Sequence, residues 1–336
     1  MRIDTIASMI GAQVCGEACV DVEWLLTDSR SLCFPESTLF FAIRTDRGDG
    51  HRYVRDLYER GVRAFVVSDV QEGLTGAVQL LVQDTLPALQ RLAERHRESY
   101  DIPVIGITGS NGKTVVKEWL YQMLSPDMAV TRSPRSYNSQ IGVPLSVWGL
   151  NDNTQIGIFE AGISRPGEME ALQRIIQPTI GVFTGLGPAH QENFQSMQQK
   201  RQEKMLLFKD CPVVFEAGDE ADALERDRNL CARVCRHLGM SEEVIQERLQ
   251  RLEPVAMRLE VKQGRHGCTL INDTYNSDLG SLDIALDFMN RRPDRAGRQR
   301  VLILSDILQS GKPSHELYSH VARLVEKRGL ERLMAI

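Results

Sequence analysis

The sequence predicts an α/β protein of three domains whose centre is a doubly wound parallel sheet. Two observations carry that expectation. Short β-rich apolar runs ending in polar or glycine-rich turns recur at 104–114, 155–164, 179–190 and 212–220. Between the second and third lies a helical pattern, "RPGEMEALQRII", with Met169, Leu172, Ile175 and Ile176 on one face. Strand alternating with helix is the grammar of parallel strands, and such sheets collect ligands at the carboxyl ends of their strands. Glu160, His190 and the 109–114 loop fall at such ends, so they are expected to converge.

In chain order, "STLFFAI" and "RAFVVS" read as strands around a helix in "YVRDLYERG". "VIGITGSNGKTVVKEWL" (104–120) then reads as strand, glycine turn and helix. That helix carries Val116, Trp119, Leu120, Met123 and Leu124 on its apolar face, and Pro126 stops it. From about residue 256 a further αβ unit begins: "GCTLINDTYNSD" and "RVLILSDIL" are strands separated by the amphipathic "SLDIALDFM". "LERLMAI" reads as a strand with no helix after it, the end expected of a truncated third domain. Seams near 98 and 255 divide the chain into 1–98, 99–255 and 256–336, without internal repeat or low-complexity segment.

Composition bounds the partners. The 336 residues suffice for two or three domains, and 42% hydrophobic with 25% charged residues is a globular composition. A net charge of −5 argues against a nucleic-acid surface, and "RRPDRAGRQR" (291–300) reads as a solvated loop. No apolar stretch approaches the ~18 residues of a membrane helix, and the N-terminus lacks a signal-peptide pattern. The seven cysteines form no C-x-x-C pair. Cys231 and Cys235 stand one helical turn apart, open to a metal half-site but better explained as buried apolar thiols. A reducing cytoplasm is the expected compartment.

The loop "TGSNGKT" carries the clearest chemistry. Its glycines let the backbone N–H groups of Thr108, Gly109, Ser110, Asn111 and Gly112 approach phosphate oxygens, and the helix N-terminus adds its positive end. Lys113 is expected to bridge terminal phosphates and the Thr114 hydroxyl to ligate Mg²⁺. The spelling nevertheless departs from G-x-x-x-x-G-K-[ST], because Ile107 stands where the first glycine belongs.

"GITGSNGKT" resembles the loop of the Mur ligases and folylpolyglutamate synthases. Further stretches resemble one branch of the Mur ligases, which adds D-alanyl-D-alanine to UDP-N-acetylmuramoyl-tripeptide. They are "TDSRSLCFPESTLFFAIRTDRGDGHRYV" (27–54), "YNSQIGVPLSV" (137–147), "EAGISRPGEMEAL" (160–172), "AHQENFQSMQQKRQEKMLLF" (189–208) and "INDTYNSDLGSLDIAL" (271–286). Together they cover nearly the whole chain. The resemblance implies a small α/β UDP-sugar domain, a central doubly wound P-loop ATPase domain and a partial Rossmann-like C-terminal domain. It implies ATP-driven amide formation through an acyl phosphate, in cytoplasmic peptidoglycan precursor synthesis, with ATP and two Mg²⁺ ions. The wording from 270 to 309 is most similar to ligase–alanine racemase fusions of Bacteroidetes, which implies a racemase beyond residue 336.

Roles follow by matching position. The resemblance makes Glu160 a metal ligand and associates His190 with the second Mg²⁺. Lys204, fourteen residues after His190, matches the lysine carbamylated in the family, with Lys200 one turn earlier as a decoy. Lys113, His190, Lys204 and Arg258 are thus the expected catalytic set. Asn138 is placed near the peptide substrate, Arg258 at a phosphate, and Tyr275 with Asn276 near the nucleotide. Ser29, Arg30, Asp49, Gly50 and His51 are candidates for the UDP-sugar, with a hydrogen-bonded turn as the rival reading. Two departures stand out. Asn272, Ser277, Asp278 and Leu279 replace family residues around Tyr275, and the connection near 219–229 is shorter than in the family, as if a segment were missing or deleted. The shortening puts Asp227 where the family has an asparagine. Two other readings stay open: a Mur ligase adding a single amino acid, and a pseudo-ligase module attached to a racemase.

Overall fold

A computed structural model describes residues 1–45, 48–187, 193–220, 222–275, 277–292, 299–307 and 313–336. Helix α1 (Ile3–Ile10) is followed by β1 (Gln13–Gly16), β2 (Trp24–Leu26) and β3 (Thr38–Phe41). A small ribbon, β4 (Arg44–Thr45) with β5 (Gly48–Asp49), leads to α2 (Val54–Glu59), β6 (Ala64–Val67), β7 (Val78–Leu81) and α3 (Thr85–Arg97). The first sheet runs β1-β7-β6-β3-β2, parallel except for β1. Strands β3 and β6 are buried at every residue. Their unbroken apolar runs, rather than an alternation, reflect helices or loops covering both faces.

The middle of the chain supplies β8 (Val104–Thr108), α4 (Lys113–Leu124), β9 (Val130–Arg132), α5 (Gly142–Val147), β10 (Ile156–Glu160) and α6 (Met169–Ile176). It continues through β11 (Ile180–Phe183), α7 (Met197–Met205), β12 (Val213–Glu216), α8 (Ala223–His237) and α9 (Glu242–Gln250). The second sheet is entirely parallel in the order β12-β11-β8-β10-β9. Strand order reverses around the central β8, which opens a crevice at the carboxyl ends of β8, β10 and β11.

The predicted apolar face of α4 is buried in full. Cys231 and Cys235 of α8 pack into it, with Sγ atoms 3.8 Å from the Val116 carbonyl and 3.9 Å from Met123 Sδ. Burial pushes the Cys235 thiol up to about 12, as expected of thiols that pack rather than react. Each large side chain removed from water there contributes roughly 1.5–3 kcal/mol. The four predicted residues of α6 are likewise buried.

After β12 the chain enters α8 directly, where the Asp222 carboxylate accepts from the Leu224 and Glu225 amides at 2.8 and 3.0 Å. Where α9 ends, the backbone is tied to α4: Trp119 Nε1 donates to the Glu253 carbonyl at 3.1 Å, and Gln122 Oε1 accepts from the Glu253 amide at 2.8 Å. Beyond lie the antiparallel pair β13 (Glu260–Gln263) and β14 (Thr269–Asn272), then α10 (Leu279–Arg291). Strand β15 (Val301–Leu304), α11 (Ser314–Lys327) and β16 (Arg332–Ala335) complete the third region, with β15 and β16 parallel. Leu282 and Leu286 of α10 pack against Leu317 and Val321 of α11.

Candidate functional site

Strand β8 ends at Thr108, whose hydroxyl donates to the Ala161 carbonyl at 2.8 Å and so locks the exits of β8 and β10 together. The loop beyond needs its glycines for steric reasons. Gly109 has φ +152°, and a Cβ there would lie 2.1 Å from Thr184 Oγ1. Gly112 has φ +84°, and its Cβ would lie 2.8 Å from Asp227 Oδ2. Left-handed backbone and close approach both exclude side chains. Lys113 opens α4 and curls back, Nζ donating to the Gly109 and Ser110 carbonyls at 3.0 and 3.1 Å. Its removal from water lowers the ammonium's pKa, against a smaller upward pull from Glu160.

Glu160 ends β10 with no exposed surface. Its Oε2 accepts from the Thr114 hydroxyl at 3.0 Å, while its buried Oε1 has no hydrogen-bond partner among the described residues. Burial raises its carboxyl, and Lys117, Lys113 and the Thr114 hydroxyl pull it back. A buried carboxylate oxygen with nothing to accept from, beside a hydroxyl, is a donor set that suits a hard divalent cation. Among the described residues no cluster of three His, Cys, Asp or Glu side chains forms a ready-made metal cage. Phosphate oxygens would therefore have to complete any such site.

Lys204 lies on α7, 3% exposed, with Nζ donating to the Gly109 carbonyl at 3.0 Å. Burial, reinforced by the charges of Lys113 and Lys200, drops its pKa well below the ordinary lysine value. Lys200 is also buried, but its Nζ goes to the Gly187 carbonyl at 2.6 Å. The two lysines, indistinguishable by composition, thus reach different loops, Lys204 the one after β8 and Lys200 the one after β11.

Arg258 reaches the cleft from the third region. It is flanked by two non-glycine residues in left-handed conformation, Met257 (φ 57°) and Leu259 (φ 49°). Such outliers cost about 1–3 kcal/mol each and persist where the surroundings enforce them. The Leu259 amide is held by Asp273 Oδ1 at 3.2 Å, and the guanidinium lies 4.1 Å over the Tyr275 ring. Its buried Nε makes no hydrogen bond.

One cleft of about 310 Å³ brings together Gly109 to Thr114, Asn138, Lys204, Arg258 and Tyr275. Three of these are cations, an arrangement suited to a polyphosphate. His190 and Asn276 lie outside the described residues. Five polar lining residues were not singled out in the sequence: Ser136, Ser139, Gln140, Ser164 and Glu168. Ser136 Oγ stands 2.9 Å from Thr114 Oγ1, and Glu168 accepts from the Ser164 and Arg165 amides at 2.7 and 3.1 Å. Their signal was present, since Ser136 sits two residues before Asn138, and Ser164 and Glu168 follow Glu160 in one quoted stretch.

The five candidates of the first domain do not line this cleft. Asp49 Oδ1 accepts from the His51 amide at 2.9 Å and lies 2.6 Å from His51 Nδ1. His51 Nε2 accepts from the Ser68 amide at 3.0 Å. Burial would raise the Asp49 carboxyl, but bonds from His51 and Arg44 outweigh it and hold the group below the usual range. Gly50 packs so closely that a Cβ would meet the Ile43 nitrogen at 2.7 Å. The side chains of Asp49 and His51 are therefore spent on the turn itself. Arg30 is exposed and paired with Asp28, at 2.6 Å, and Ser29 is buried with its carbonyl accepting from Arg60 at 2.9 Å.

Comparison with known proteins places this geometry. The family profile of the Mur ligase middle domain matches residues 107–268. A UDP-N-acetylmuramoyl-tripeptide–D-alanyl-D-alanine ligase of Bacillus subtilis is 25% identical over 366 residues, covering 93% of this chain and 79% of the relative. The same enzyme of Synechocystis is 38% identical over 167 residues, 49% of this chain and 36% of the relative. MurF from Acinetobacter baumannii superposes with a TM-score of 0.87 at 21% identity, covering 99% of this chain and 84% of that one. MurF of Thermotoga maritima, solved in complex with ADP, superposes with a TM-score of 0.77 at 20% identity over 93% of this chain and 84% of that one. At those identities the structural likeness is one of fold, the three-domain Mur ligase arrangement. With the phosphate loop, the parallel sheet and the middle-domain match in agreement, residues 107–268 of the chain are a Mur ligase middle domain.

Proposed function

We propose that this chain is an ATP-dependent, ADP-forming ligase that joins D-alanyl-D-alanine to UDP-N-acetylmuramoyl-tripeptide. The observation that carries the reading is the cleft lined together by Lys113, Thr114, Lys204 and Arg258, with Glu160 hydrogen-bonded to Thr114. The names of the Bacillus subtilis and Synechocystis relatives support this choice of substrates.

Such a reaction has two steps. The tripeptide carboxylate attacks the γ-phosphorus and ADP leaves, giving an acyl phosphate. The free amine of the dipeptide then attacks the acyl carbon, phosphate leaves, and the amine's proton passes to solvent. Both steps concentrate negative charge, so the site must supply fixed positive groups more than a general base. Lys113 releases the loop carbonyls and turns to the β- and γ-phosphates, with backbone N–H groups of 109–112 cradling them. Arg258, with its free Nε, neutralises the transferring phosphoryl group once the third domain is seated.

Thr114 and Glu160 would hold Mg²⁺, which supplies Lewis-acid charge at the phosphates when bound. His190 is proposed for a second ion. Lys204 is proposed to be carbamylated. Burial beside Lys113 and Lys200 shifts Lys204 toward the uncharged amine, the form that adds CO₂ with loss of a proton, and a carbamate there would supply an anionic oxygen ligand. Asn138 and Ser136, which line the cleft, are proposed for the acceptor, and Tyr275 with Asn276 for the nucleotide. Ser29, Arg30 and the backbone of the 49–51 turn are proposed for the UDP-sugar.

The described residues contain no helix long and apolar enough to cross a membrane, and nucleotide-sugar chemistry supports a cytoplasmic site of action. The wording of 270–309 supports a chain that also carries an alanine racemase. Phosphate release should require ATP, the muramoyl-tripeptide and the dipeptide together, and vanish in Lys113→Ala. Release with a single amino acid in place of the dipeptide would assign the chain to another branch of the family. Release independent of either substrate would refute ligation.

A further inference from the structure

Lys117 lies one turn beyond Lys113 on α4 and has no exposed surface. An ammonium carries three donors, and each is spent: on the Ser133 carbonyl at 2.8 Å, on the Arg135 carbonyl, and on Glu118 Oε1 at 3.1 Å. Glu118 is held in turn by Arg132 at 3.0 Å. Burying a charge is costly unless it is paired and hydrogen-bonded, so a lysine at this position needs a reason.

The reason lies in the 133–138 loop. Two alternate carbonyls converge on one point because Arg135 adopts a left-handed conformation, φ 49°. The rest of the loop is pinned to catalytic elements. Ser133 Oγ accepts from the Glu160 amide at 3.3 Å, Ser136 Oγ meets Thr114 Oγ1 at 2.9 Å, and the Asn138 carbonyl accepts from the Gly162 amide at 2.7 Å. Ser136 and Asn138 line the cleft beside the phosphate loop.

We propose that Lys117 is a positioning residue for the acceptor. It templates the 133–138 loop from within α4 and so sets the affinity for the carboxylate-bearing substrate, while leaving nucleotide affinity to the phosphate loop. The inference rests on the ligase reading for what occupies the cleft, but the loop geometry stands apart from it.

Lys117→Met keeps the length of the buried stem and removes the donors. The expected result is a KM for the muramoyl-tripeptide raised at least tenfold, a Kd for ADP changed less than threefold, and amide hydrogen exchange accelerated at least tenfold within 133–138 only. Arg135→Pro approaches the same loop from outside, because proline cannot adopt φ 49°; it should reproduce the split without touching α4. Arg135→Gly, which accepts that conformation, should leave both constants within twofold of the natural protein. ADP affinity falling in step with acceptor affinity would overturn the proposal. So would exchange rising evenly across the middle domain, or Arg135→Pro behaving like Arg135→Gly. If the natural protein releases no phosphate with any acceptor, the ligase reading fails, and hydrogen exchange in the two variants still decides whether Lys117 templates the loop.

Discussion

Asp227 offers the sharpest test of the electrostatics around the phosphate loop. It is 3% exposed on α8, its Oδ2 abuts Gly112, and its Oδ1 makes no hydrogen bond. Burial raises its carboxyl to about 7; Arg226, 3.5 Å away, pulls it down, while Asp222 and Glu220 push it further up. In the unfolded chain the same group titrates near 3.9. Between those values the folded protein keeps a proton that the unfolded chain releases, so stability falls as pH rises. Each pH unit in the window removes about 1.36 kcal/mol. The gap of about three units therefore corresponds to about 4 kcal/mol, reached near pH 7 and constant above it.

Asp227→Asn abolishes this titration at nearly constant volume. Urea unfolding of the full chain and the variant, measured from about pH 5 to about pH 8, should show the variant gaining about 3 kcal/mol relative to the natural protein. Comparing across pH cancels whatever hydrogen bonds the new amide makes. A stability difference that does not change with pH would show that the carboxyl titrates as in the unfolded chain, and the account of its burial would be wrong.

Gly109→Ala places a methyl 2.1 Å from Thr184 Oγ1 on a backbone that L residues avoid; thermal unfolding should fall by the equivalent of at least about 2 kcal/mol, and ADP should no longer raise the midpoint. Glu160→Gln removes the charge beside Thr114, and Mn²⁺ binding followed by electron paramagnetic resonance with ADP present should weaken about 10- to 100-fold. Lys204→Arg cannot form a carbamate; turnover should fall about 10- to 100-fold, and the carbamate signal seen by NMR with ¹³C-bicarbonate should disappear. Leu120→Ala opens a cavity in the fully buried face of α4 and should cost about 2–5 kcal/mol in urea unfolding.

What the sequence disclosed was local. The strand–loop–helix at 104–124 is written in contiguous apolar runs, in glycines that no other residue can replace, and in Pro126. Helix α6 was equally legible from four residues of one period. The placement of Lys204 rather than Lys200 at the Gly109 carbonyl depends on the path of α7 over the loop, which no spacing rule contains. Lys117 reads as one more polar residue on a helix until the 133–138 loop is folded over it. Asp49 and His51 were named from the resemblance of 27–54, with a hydrogen-bonded turn as the rival reading, and their side chains do bond within such a turn. Helices α3, α9 and α11 went unread since their apolar residues are diluted by charge. Asp222, six residues after β12 ends, caps α8 by accepting from the Leu224 and Glu225 amides.

The tie between Trp119, Gln122 and Glu253 gives α4 a second duty. Its first residue bonds the phosphate loop, and its later turns grip the segment of chain that leads into the third region. Twelve residues at about 1.5 Å each span about 18 Å. A tilt imposed at the phosphate end is therefore delivered, through one rigid rod, to the pivot that aims Arg258. Filling and emptying of the loop would be felt at that pivot without any signal crossing the sheet.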